Sequence, residues 1–148
     1  MNTFSRERTL LTLLLALRNL EDPLSESKQA QLYEVGEQLE LDPDDWEFIE
    51  EGLLAVVSAT TLLDKQFQTA KAQLDSVDIQ KLLPTDNDIV EVNSVTVIEK
   101  RGSNDNRVEN IPPILEITSK FLKDDNLAVI VKKSKWLDRV ANNLNANK

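Results

Sequence analysis

The sequence predicts an α+β protein: an acidic helical bundle over residues 1–83, followed by a small β-β-α-β-α unit over residues 84–148. Three observations carry this reading. From Leu10 to Leu74 apolar residues recur every three or four positions, the rhythm of helices that bury one face. After Pro84 that rhythm stops, and the β-branched stretch Ile89–Ile98 takes over. Charge divides at the same place. Residues 1–83 carry seven Lys/Arg against sixteen Asp/Glu, whereas residues 84–148 carry ten of each. Each region alone is marginal in size, so the two are expected to share a core.

The first helix rests on Leu10, Leu13, Leu17, Leu20 and Leu24 at 3-4-3-4 spacing, with Leu11, Leu14 and Leu15 widening the apolar face. So much apolar surface demands burial on more than one side. Asp22-Pro23 ends it, and a second helix runs from Glu26 to Leu41 with Leu32, Val35 and Leu39 inward. Asp42-Pro43-Asp44-Asp45 reads as the next helix start: a capping carboxylate, a proline suited to the first helical position, and acids on the positive end of the dipole. Trp46, Ile49, Leu53, Val56, Thr60, Leu63, Phe67, Ala70 and Leu74 then form a heptad seam without a slip. Unbroken, that third helix spans about 33 residues and about 50 Å; a bend at Ser58, Thr60 and Thr61 would make it two. Phe48, Leu54 and Val57 broaden the face of its first half, while the second half narrows to the seam alone.

In the second region the valines change parity at Asn93-Ser94, a bulge or a break between short strands. Gly102–Asn106 reads as a hairpin loop with a return strand near Arg107–Ile111. Pro112-Pro113 open a helix bearing Ile114, Ile117 and Phe121. Leu127–Val131 reads as a strand that closes a βαβ unit over residues 107–131. Ser134 caps a last helix with Trp136, Leu137, Val140 and Leu144.

Function is bounded mostly by exclusion. The chain has no histidine and no cysteine, so imidazole and thiolate chemistry are closed to it, and no disulfide or thiolate metal site exists. The three glycines are isolated, so there is no phosphate-cradling loop. The reading is a chain with no catalytic residues and no cofactor. A net charge of −9 repels phosphate, which argues against nucleic acid. The apolar run Leu10–Leu17 is eight residues long, against the roughly 20 that a bilayer span needs. No small-x-small cleavage site follows it, so a cytoplasmic protein without membrane contact is expected.

Residues 21–51 hold twelve of the twenty-six carboxylates and one cation, Lys28. Helix capping and solvation account for them, and no specific metal site is expected. A hard cation, if bound, would draw its oxygen ligands from Glu21 and Asp22 or from Asp42, Asp44 and Asp45. The thin seam half, Leu63, Phe67, Ala70 and Leu74, is expected to be the interface of a homodimer, since a narrow heptad face suits a partner helix. Lys132, Lys133 and Lys135 form a basic cluster in an otherwise acidic chain and are the expected contact patch for an acidic partner or for this protein's own residues 42–51.

Leu10–Leu20, Glu21-Asp22-Pro23-Leu24-Ser25, a helix to Leu41, and Asp42-Pro43-Asp44-Asp45-Trp46 before a long helix together resemble a TerB-type tellurite-resistance helical domain over residues 9–75. Where that family usually has Asp-Gly, this chain has Asp22-Pro23. The resemblance implies a helical first region whose acidic loops respond to metal. The second region resembles no family. The function expected first is a non-catalytic cytoplasmic protein-interaction or regulatory module with a protein partner. A divalent-cation-binding or cation-responsive domain comes second, and an enzyme working through carboxylates third.

Overall fold

The computed structural model describes residues 5–20, 24–42, 44–75, 77, 79–84, 113–124 and 127–146. All regular structure among them is helical. The helices are α1 (Ser5–Arg18), α2 (Glu26–Leu41), α3 (Trp46–Ala59), α4 (Thr61–Asp75), α5 (Pro113–Leu122), α6 (Leu127–Lys133) and α7 (Lys135–Ala146), with a short 3₁₀ turn at Ile79–Lys81.

The first helix is the axis of the molecule. It packs against α4, α5, α6 and α7, while α2 lies on α5 and α3, and α3 lies on α4. Leu10, Leu11, Leu13, Leu14, Leu15, Ala16 and Leu17 are all at most 2% exposed. A helix apolar on every side is stable only when surrounded, and here four others surround it. Core residues from before Pro84 and after Pro113 form one hydrophobic cluster, so the described parts of both regions share an interior.

The cap expected at Ser134 forms, its Oγ accepting from the Leu137 N–H at 3.2 Å; at the start of α2 the cap is Ser25, its Oγ accepting from the Lys28 N–H at 3.2 Å. The start of α3 differs. Asp42 terminates α2, its own N–H donating to the Gln38 carbonyl at 2.8 Å, and α3 begins at Trp46 with Asp45 as N-cap and no side-chain capping bond. The seam of residues 46–74 is not one helix. It breaks at Thr60, whose backbone is extended (φ −120°, ψ 104°). The break lets α3 and α4 fold against one another while Ile49, Leu53, Val56, Leu63, Phe67, Ala70 and Leu74 all stay buried.

The α+β expectation is overturned. Leu127–Val131, expected to be the strand closing a βαβ unit, is the body of α6. Leu127, Ile130 and Val131 point inward at i, i+3, i+4, and Val129 is half-exposed, a helical pattern. An unbroken apolar run of five residues has no period of its own, and packing against α1 and α5 outweighs its β-branched composition. The expected hairpin over residues 89–111 lies outside the described residues. The helices expected after Pro113 and after Ser134 are present as α5 and α7.

Long-range polar contacts fasten this arrangement. Trp136 Nε1 donates to the Leu82 carbonyl at 2.8 Å in a buried position, tying α7 to the chain after α4. Arg18 pairs with Asp138 at 2.5 Å, joining α1 to α7. Arg8 reaches the end of α4, with Asp75 Oδ1 at 3.2 Å and the Leu74 carbonyl at 3.4 Å. Lys123 pairs with Glu40 and holds the end of α5 to α2.

Candidate functional site

The most distinctive surface feature lies between α2 and α3. The second helix contributes Gln31, Glu34, Val35 and Gln38, which share one face at steps of three and four. The third contributes Phe48, Ile49, Glu51, Gly52, Ala55 and Val56. Together they line a groove of about 370 Å³. Its floor is apolar and buried, since Val35, Ile49 and Val56 are at most 6% exposed. Phe48 stands at the groove with 55% of its surface exposed, an unusual position for a large aromatic on a small protein. Glu34 and Glu51 stand on opposite sides, and no cation occurs anywhere on α3. A second hollow on the other side of α2, about 510 Å³, is lined by Glu26, Tyr33, Glu34, Glu37, Leu122 and Asp124 among others, so Glu34 borders both.

The two helical glycines differ in a way that locates the open space. A β-carbon on Gly36 would lie 3.0 Å from Leu122 Cβ, 3.0 Å from Lys123 Cγ and 3.1 Å from the Ser119 carbonyl oxygen. Gly36 is therefore there so that α2 can approach α5 closely. A β-carbon on Gly52 would meet nothing within 4 Å. Mid-helix glycine costs roughly 0.5–1 kcal/mol relative to alanine, and nothing within the fold requires that cost at Gly52.

The residues singled out from the sequence fall elsewhere. Leu63, Phe67, Ala70 and Leu74 are 0–5% exposed, on a helix packed against α1. Within the single chain the narrow seam is therefore covered. Lys132, Lys133 and Lys135 are exposed where α6 meets α7, with half-exposed Val129 on the same helix as the first two. Asp42, Asp44 and Asp45 are exposed in the connection between α2 and α3; Glu21 and Asp22 lie outside the described residues. Among the described residues no three His, Cys, Asp or Glu side chains are grouped to hold a metal ion. No helix among them is long and apolar enough to cross a membrane.

Phe48, Gly52 and Ala55 are the groove residues that sequence reasoning did not assemble. The signal was present: Phe48, Gly52, Ala55 and Ala59 repeat at 4-3-4 spacing, a second stripe on the same helix as the buried seam, and all four are exposed. Compared with known proteins, the chain matches no family model, no curated protein and no solved structure.

Proposed function

We propose that this protein is a non-catalytic interaction module that receives a protein partner in the groove between α2 and α3. The observation that carries the reading is Phe48: a large aromatic left half-exposed in a groove whose floor is the buried apolar Val35, Ile49 and Val56. Aromatic side chains at the centre of an apolar depression are the usual anchors of protein interfaces. A cytoplasmic setting agrees with the lack of cysteine.

The test is capture of partners from native lysate by the wild-type chain and by Phe48→Ser, with identification by mass spectrometry. Loss of specific partners in the variant, with helical circular dichroism unchanged, supports the reading. An identical set captured by both removes it. Calorimetry with Ca²⁺ and Mg²⁺ runs beside it, because a saturable site tighter than about 100 μM would favour the cation-responsive role that the TerB resemblance implies.

A further inference from the structure

We infer that the occupant of the groove is a basic amphipathic helix of the partner. This rests on the interaction reading above and names the chemistry of what docks. Three independent features of the groove converge on it.

The first is shape. Two neighbouring helices flank a linear depression, and a third helix fits such a depression side on. The second is spacing. Phe48, Gly52, Ala55 and Ala59 follow the 4-3-4 rhythm of a helix seam, and Gly52, with nothing within 4 Å of where its side chain would begin, leaves room for close approach. The groove is lined by α3 from Phe48 to Val56, a length of about 13 Å, so the occupant makes about two to three turns of contact within it. The third is charge. Glu34 and Glu51 border the groove, exposed Glu47 lies one turn from Glu51 on the same helix, and Lys28 is the one cation on either helix. A helix with apolar anchors on one face and Lys or Arg on its flanks complements that field. Nucleic acid and acidic peptides are repelled by it.

A second copy of this chain is a poorer fit. Its basic segment sits on α6, seven residues long, whose Leu127, Ile130 and Val131 are already buried in its own core. Among the side chains described there, Val129 is the exposed apolar anchor.

The experiment uses the full chain and a fluorescein-labelled synthetic helix of about five turns, about 18 residues, built of leucine at the a and d positions and lysine elsewhere. One control has the same composition with leucine scattered around the helix; another replaces lysine by glutamate. Fluorescence anisotropy reads the affinity. The amphipathic basic probe is expected to bind wild type at least tenfold more tightly than it binds Gly52→Leu, which fills the groove from a position with open space and leaves the net charge unchanged. The scattered control should bind both proteins alike and weakly, and the glutamate probe should not bind. Glu34→Gln with Glu51→Gln should weaken binding and flatten its dependence on salt.

Equal binding of the probe to wild type and Gly52→Leu overturns the inference, because attraction would then be to acidic surface alone. A wild-type oligomer that Gly52→Leu converts to monomer also overturns it, by making a second copy the occupant. If the probe fails to bind while lysate capture still depends on Phe48 and Gly52, the helix assignment falls and the interaction reading survives. If capture is independent of both residues, the interaction reading itself falls.

Discussion

Glycine at positions 36 and 52 serves two different physical ends on neighbouring helices. At Gly36 the absence of a side chain is filled by Leu122, Lys123 and the Ser119 carbonyl; at Gly52 it is filled by nothing. Alanine should therefore act oppositely at the two sites. Gly36→Ala gains helix propensity but forces a β-carbon against a carbonyl oxygen and a leucine β-carbon, neither of which is the free end of a flexible chain. It should lower stability by about 1 kcal/mol. Gly52→Ala meets no obstacle and should raise stability by about 0.5–1 kcal/mol. Urea unfolding followed by circular dichroism checks the pair, and equal effects at the two sites would contradict this account of why each glycine is there.

At the scale of elements, α4 and α7 test how the bundle is held. Phe67 is buried on the face of α4 that packs toward α1. Phe67→Asp puts a carboxyl group into the apolar core, where it is either charged and desolvated or protonated, at a cost of several kcal/mol, a large share of an ordinary small domain's stability. The expected outcome is loss of the helical signal. A well-folded variant would mean that this face is open to solvent or to another chain. Trp136 spans α7 and the Leu82 carbonyl through one buried hydrogen bond. Trp136→Phe keeps an aromatic ring but strands that carbonyl, so a loss of about 1–3 kcal/mol is expected, read as a lower urea midpoint. The break at Thr60 belongs to this scale too. It turns one heptad seam into two packed helices and leaves Phe48 and Leu54 outside, although sequence reasoning placed them on the broad inner face.

For the whole molecule, charge and packing act at different places. The core is one apolar cluster around α1, whereas the acids gather on α2, α3 and the turn between them, and the lysines gather where α6 meets α7. Lys132, Lys133 and Lys135 are exposed, so replacing all three by glutamate should change unfolding free energy by under about 1 kcal/mol, because exposed charges contribute little to folding. If they contact an acidic surface, the triple variant should associate with it more slowly, and more so at low salt. Unfolding of the variant would assign the lysines a structural role instead. Leu63, Phe67, Ala70 and Leu74, which α4 carries into the core of the single chain, are not part of its exposed surface.

Several elements were legible in the sequence because they depend on residues close together in the chain. The leucine spacing from Leu10 to Leu17 marks a helix to be surrounded, Ser134 marks a helix start, and Pro113 opens α5; each needs only helical periodicity or a capping bond three residues long, whereas Leu20 and Leu24, read as part of the first helix, lie beyond its end at Arg18. Other features were decided by tertiary structure. Leu127–Val131 has no period, and it is helical because α1 and α5 offer a surface for one stripe of it. The seam of residues 46–74 announces an apolar face but not its cover: α1 covers the α4 half, and α2 together with α4 covers the α3 half. The groove likewise exists only because α2 and α3 meet with Gly52 on the outside. Periodicity states which residues need burial, since that follows from local geometry. Which surfaces remain open depends on how distant helices share the available apolar area, and that is settled only when the whole chain packs.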